Sequence, residues 1–175
     1  MNANFGCGSK VLDGWVNFDK YPVNESVAFC DLDQGIPLSD DTCDQVLLDN
    51  VIEHCSDIPF VLKEIERVLR VGGTAKLITP HFSSAASFRD PTHKFHLSYF
   101  SFDYVNKTAA AHYMGIEKLT LISKRLSIGG GIIQMIGLLI FRISPQTWEN
   151  YWCFIFRGST LTFEFKKGSI EHFLN

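Results

Sequence analysis

Two glycines one residue apart, Gly6-Cys7-Gly8, follow a short run that can pair as a strand, Ala3-Asn4-Phe5. A second apolar run, Val16-Asn17-Phe18, ends on Asp19. Glycines at a strand end let the backbone turn sharply and let a ligand approach the main chain with no Cβ in the way. An acid at the tip of the neighbouring strand can accept hydrogen bonds from two vicinal ribose hydroxyls. In an open parallel sheet, ligands bind beyond the carboxyl ends of the strands. These residues therefore suit a nucleoside-bearing cofactor lying across the first two strands. A tight turn followed by a surface aspartate is the plainer alternative. A dinucleotide is disfavoured, because its fingerprint needs a third glycine where Val11 stands and an acid about 20 residues on. The pattern leaves a small adenosine cofactor without a pyrophosphate.

Groups able to move a proton come later: Glu53-His54, His81, Asp90-Pro91-Thr92-His93-Lys94 and His96. A histidine near its neutral pKa is the usual base. His93 is the favoured base, with Asp90 as its orienter and His81 as a second candidate. Each can instead serve as a hydrogen-bond partner that fixes a loop. His54, after Glu53, is expected to shape the cofactor side. The five cysteines, Cys7, Cys30, Cys43, Cys55 and Cys153, are odd in number and never spaced C-x-x-C. They point to a reducing, cytoplasmic setting and away from a disulfide framework or a zinc site. No clustered Cys/His/carboxylate set stands out, so no metal is expected.

The elements that must position these groups read as strands alternating with few helices. Only seven residues separate Asp19 from the run Val27-Ala28-Phe29-Cys30, too few for a usual crossover helix, so the first crossovers are abbreviated. That run also ends on an acid, Asp31, followed by Leu32. A turn-rich loop over 35–42 leads to a buried strand over 44–49, bounded by Asn50. Ser56 or Asp57 can cap a helix with Pro59 in its first turn. The helix carries an apolar stripe (Phe60, Leu62, Ile65, Val68, Leu69) and a solvated face of Lys63, Glu64, Glu66 and Arg67. Gly72-Gly73 is expected to end it in a left-handed cap. A strand over 75–79 follows, stopped by Pro80. Residues 100–113 fit a helix, and 118–125 and 160–166 fit strands that form an antiparallel edge. The pattern is that of a mostly parallel α/β sheet.

The chain has 175 residues, 46% apolar and 20% charged, which fits one domain with a real core. A net charge of −3 and the lack of any Lys/Arg run exclude a nucleic-acid field. No signal peptide precedes the first strand. The stretch 126–141 carries no charge at all. Its sixteen residues fall short of the ~18–20 needed to span a bilayer. A buried or cofactor-covering helix is expected there, with a homodimer interface or a surface touching lipid as alternatives. The aromatics Phe88, Tyr99, Phe100, Phe102, Tyr104 and Tyr113 suit an acceptor pocket or plain core, and Trp148 to Phe156 a lid or sheet packing.

Six stretches in register carry a resemblance. They are Asn-Phe-Gly-Cys-Gly at 4–8, Val-Asn-Phe-Asp at 16–19, Cys-Asp-Leu at 30–32, the run from Ile36 to Asp44, Val-Ile-Glu-His at 51–54, and the run from Leu62 to Gly73. The chain resembles the class I S-adenosylmethionine-dependent methyltransferases, in particular their small type-11-like group. The resemblance implies a Rossmann-like, mostly parallel seven-stranded sheet with an antiparallel last strand. It implies one methyltransferase domain over 1–175, with its core at about 1–80 and 116–175. Segments 81–115 and 126–156 would then lie on the acceptor side or form a lid. By the same resemblance, Gly6, Cys7 and Gly8 would let the methionine part of S-adenosylmethionine pass over the first strand. Asp19 would hold the ribose, Asp31 would face the adenine amino group, and Leu32 would lie beside the ring. The methionine amine would be met by Asn4, Asp49 or the carbonyls near Asn50, with His54 close by. Asn4 stands where the family usually has an acid. The leading helices that usually cover the cofactor are missing. The expected activity is O- or N-methylation of a small-molecule or glycan acceptor. A module that binds S-adenosylmethionine or S-adenosylhomocysteine without catalysis is the other expectation.

Overall fold

The computed structural model of the protein describes residues 1–106 and 108–169. The expected domain runs on to residue 175, and its last six residues lie outside the described ones. Seven strands form one sheet: β1 (Asn2–Phe5), β2 (Val16–Asp19), β3 (Val27–Phe29), β4 (Cys43–Asp49), β5 (Leu69–Pro80), β6 (Leu119–Ile128) and β7 (Gly158–Lys167). Their spatial order is β3-β2-β1-β4-β5-β7-β6. The strands β3 to β5 pair in parallel, while β7 runs antiparallel to both β5 and β6. This is a Rossmann-like α/β sheet with its last strand reversed, as expected. The connections from β1 to β2 and from β2 to β3 contain no helix.

Helix α1 (Ile58–Val68) makes the crossover from β4 to β5. Asp57 caps it by accepting from the Phe60 N–H (2.9 Å), and Pro59 fits the first turn, where no N–H is needed. Val61, Leu62, Ile65 and Val68 are fully buried against the sheet. At about 1.5–3 kcal/mol for each buried aliphatic side chain, this stripe dominates the packing of the helix. The chain does not leave α1 through a glycine cap. Leu69 is already extended, and β5 starts there. Gly72, at φ +84°, belongs instead to a bulge between the pairs Cys43–Leu69 and Gln45–Thr74. A Cβ on Gly73 would stand 2.9 Å from the Arg70 carbonyl oxygen and 3.0 Å from that of Cys43. Gly72 serves the turn of the bulge and Gly73 the close strand approach, and neither ends the helix.

The polar side of α1 is also not simply solvated. Glu66 is buried, and its Oε2 accepts the N–H groups of Glu117 (3.0 Å), Lys118 (2.8 Å) and Leu119 (2.8 Å). Arg67 donates to the carbonyls of Ile36 and Leu38, to Asp40 and to Glu64. One helix thus pins the loop after β3 and the start of β6.

The core lies on one side of the sheet. Ala3, Phe5, Val46, Leu48, Ala75, Leu77, Phe163 and Phe165 are all buried there, and Phe102 packs edge-on against Phe163. On the other side the loop 6–15 covers β1 and β2, where Asn17 and Asn4 bond each other and the loop backbone. Beyond it, Trp15, Gln45, Leu47, Lys76, Ile78 and Glu164 line a groove of about 450 Å³, with Gln45 and Lys76 exposed.

The helices between β5 and β6 are short. The expected helix over 100–113 is a 3-10 turn (Asp103–Asn106) and α3 (Thr108–Tyr113), because Asn106 turns to bond both the N–H and the C=O of Leu121. Helix α2 (Ala85–Arg89) follows β5. The uncharged stretch differs most from expectation. Strand β6 runs on to Ile128, three glycines follow, and helix α4 (Ile132–Ile143) is neither buried nor over a cofactor cleft. Ile132, Met135, Leu139 and Ile143 are 60–83% exposed. Its inner edge rests on Gly137, where a Cβ would stand 2.2 Å from that of Phe156. No helix among the described residues is long and apolar enough to cross a membrane.

Candidate active site

The carboxyl ends of β1 to β4 open into a cleft of about 480 Å³. Six of the residues expected around a cofactor line it: Gly6, Asp19, Asp31, Leu32, Asn50 and His54. Asp19 sits at the tip of β2, where Oδ2 accepts the Gly8 N–H (2.7 Å) and Oδ1 the Tyr21 N–H (2.8 Å). A carboxylate has about four lone-pair sites, so capacity remains for further donors. Gly6 has φ +65°, and a Cβ there would collide with Val51 at 2.4 Å, so both conformation and space require glycine. Asp31 pairs with Lys20 (2.8 Å) across the mouth of the cleft. Asn50 adopts φ +57° at the end of β4, where its N–H bonds the Ile78 carbonyl (2.8 Å).

Four expected residues lie off this cleft. Asn4 is buried, and its amide donates to Asn17 Oδ1 (2.9 Å) and the Lys10 carbonyl (3.0 Å) on the far side of the sheet. It clamps β1 to β2, and a residue one position along a strand points to the opposite face. Cys7 is buried with its thiol toward the Gly8 carbonyl, and burial raises its pKa. Gly8 enters only through its N–H. Asp49 is paired with Lys10 (2.9 Å) and with the Asn50 amide (2.8 Å).

A second, more open cleft adjoins the first, lined by Asn50, His54, Pro80, Ala86, Arg89, Asp90, Pro91 and His93. Asn50 and His54 belong to both. His93 Nδ1–H donates to the Ser87 carbonyl (2.9 Å), which leaves a lone pair on Nε2. Asp90 does not hold His93. Its Oδ1 accepts from the Thr92 N–H (2.8 Å) and hydroxyl (2.6 Å), and these bonds hold its carboxyl below the usual range. With its proton committed to Asp90, Thr92 Oγ1 accepts from His54 Nδ1–H (2.9 Å). His54 therefore also presents an unprotonated Nε2, and its ring meets that of His93 edge-on at 4.6 Å.

His81 lies apart from both clefts and is fully buried. Its Nδ1 accepts from the Ser83 N–H (3.1 Å) and hydroxyl (2.8 Å), and Nε2 faces Glu149 at 3.8 Å beneath Trp148. Glu53, which the sequence offered only together with His54, takes a place of its own in the fold. It is buried, both carboxylate oxygens lack a hydrogen-bond partner, and burial raises its pKa. The expectation that no ligand cluster exists is overturned: donor atoms of Glu53, His54 and His93 all lie within 4.8 Å of one another. The signal in the sequence was Glu53-His54, but only the fold brings His93 beside it.

A parallel sheet of this order, with one reversed strand and a cleft across β1 to β3, defines the class I methyltransferase fold. A family model described as hypothetical methyltransferase matches residues 2–129, and the chain belongs to that methyltransferase family. No curated protein sequence matches it. Solved structures share the fold at low identity. An S-adenosylmethionine-dependent methyltransferase from Archaeoglobus fulgidus is 15% identical, with a TM-score of 0.58 over 95% of this chain and 85% of its own. One from Mesorhizobium loti is 12% identical, with 0.57 over 95% and 90%. The YcgJ protein of Bacillus subtilis is 16% identical, with 0.57 over 96% and 92%.

Proposed function

We propose that the protein transfers a methyl group from S-adenosylmethionine to an oxygen or nitrogen of a small-molecule or glycan acceptor. The observation that carries this reading is the junction of two clefts at Asn50 and His54, one bordered by a strand-tip acid and the other by histidines. The first cleft fits the cofactor: Gly6 leaves its wall without a Cβ, and Asp19 retains accepting capacity toward a ribose. Asp19 would hold the ribose hydroxyls, Leu32 would flank the adenine, and Asp31 would accept from its amino group in exchange for Lys20. The amine would meet backbone carbonyl near Asn50, since Asn4 is turned away and Asp49 is held by Lys10. Once bound, the cofactor supplies a methyl group on a good sulfonium leaving group. The chain's part is alignment, exclusion of water and removal of the acceptor's proton. His93 suits the last task, because Ser87 fixes its tautomer with Nε2 free. His81 does not, because it is sealed under Trp148.

The test is calorimetric titration with S-adenosylmethionine and S-adenosylhomocysteine, followed by an acceptor screen that reads S-adenosylhomocysteine release. Saturable binding that is lost in Asp19→Ala, with turnover that falls at least 100-fold in His93→Ala, is the expected result. The ion pairs of Asp31 and Asp49 favour one second reading, a module that binds the cofactor and does not turn it over. Binding without release for any acceptor would establish that reading, and no binding would end both.

A further inference from the structure

We infer that Glu53, His54 and His93 form a binding site for a divalent first-row transition cation at the junction of the two clefts. Three observations converge. The Glu53 carboxylate is 1% exposed, and neither oxygen has a hydrogen-bond partner. The buried Thr79 hydroxyl stands beside it as a neutral donor but closes no bond of normal geometry. A carboxylate taken out of water needs a proton, a donor or a cation, because burial without one is costly. Next, the hydrogen bonds already described leave electron pairs on both imidazoles. Ser87 takes the Nδ1 proton of His93, and Thr92, held by Asp90, takes that of His54. Metal-binding histidines are oriented in this way, each giving its other ring N–H to a carbonyl or to a carboxylate-linked group. Finally, the donor atoms lie within 4.8 Å of one another, and two of the three side chains are only half-buried. Donors on a single ion stand about 3.4 Å apart when bonds are near 2.1 Å, so small side-chain rotations of His54 and His93 close the set.

Two imidazole nitrogens and one carboxylate oxygen select cations such as Zn²⁺, Co²⁺ or Fe²⁺ over Mg²⁺ and Ca²⁺, which prefer oxygen alone. Three protein donors leave coordination positions for an exogenous oxygen. If the methyl-transfer reading holds, that oxygen is the acceptor's hydroxyl. A cation would lower its pKa so that its proton leaves to solvent water, and His93 would then act as a ligand instead of as the base. The binding itself does not depend on that reading.

The experiment adds Co²⁺ and Zn²⁺ to chelator-treated full-length protein and follows visible Co²⁺ absorption and binding heat. S-adenosylmethionine is titrated into the same samples. One Co²⁺ per chain is expected, with intense visible bands that Zn²⁺ displaces. Affinity should fall at least 100-fold in Glu53→Gln and in His93→Asn, and about tenfold in Thr92→Val, which removes the exposed hydroxyl that links His54 to Asp90 and supplies no ligand itself. Binding that is absent, or equal in wild type and Glu53→Gln, overturns the site. Cofactor binding without Co²⁺ binding removes the metal alone, and the converse removes the methyl-transfer reading alone. Thermal unfolding of each variant identifies any loss of fold, and Thr92→Val keeps the test open if Glu53→Gln unfolds.

Discussion

Asp19 ties its own loop before it meets any ligand. Its two oxygens hold the Gly8 and Tyr21 N–H groups, so the strand tips of β1 and β2 are set by the residue proposed to grip the ribose. Asp19→Asn keeps the shape but turns one acceptor into a donor facing an N–H. The expected outcome is a tenfold loss of S-adenosylmethionine affinity, ~1.4 kcal/mol, with stability lower by about 1 kcal/mol. Calorimetry and urea unfolding would read the two effects separately. Asp19 and Gly6 were legible in the sequence because strand-end chemistry is local. Asn4 was not, because spacing gives a strand position without saying which face the ligand uses. Glu53 was read only as the neighbour of His54, because nothing near it in the chain shows that β5 and the segment ending at His93 will enclose it.

At the level of the element, α1 shows how a polar face can be misread. Helical periodicity marks Glu64, Glu66 and Arg67 as outward, and outward is usually solvated. Here loops from both directions fold over that face, and the contacts span 27 to 53 positions in the chain. Glu66→Ala should therefore cost about 3 kcal/mol in urea unfolding, since it strands three N–H groups of the β6 entry, and Glu66→Gln should cost less. The Arg67 guanidinium beside Glu64 holds its carboxyl below its ordinary value. A depressed carboxylate adds stability above its unfolded pKa, about 4.3, and loses it as the pH falls through the lower folded value. Arg67→Gln should flatten the fall in stability below about pH 4.3, measured by unfolding between pH 3 and 6. Helix α4 was misplaced for a related reason. An uncharged run tells of low polarity, while its exposed face depends on which neighbours the three glycines leave within reach.

The whole molecule keeps the strand order of its family while dropping the helices of its first two crossovers, and that much was readable from the short spacing between Asp19 and Val27. What could not be read is what this does to the sheet. Purely parallel sheets are ordinarily wrapped on both faces, which makes their middle strands the driest backbone in a protein. In this chain, among the described residues, β4 and β5 are wrapped on one side only. Gln45 and Lys76 stand in solvent across the groove beside Trp15. The hydrogen-bonded ladder behind the active site is thus a wall one residue thick, with the chemistry at its upper edge and bulk water against its back.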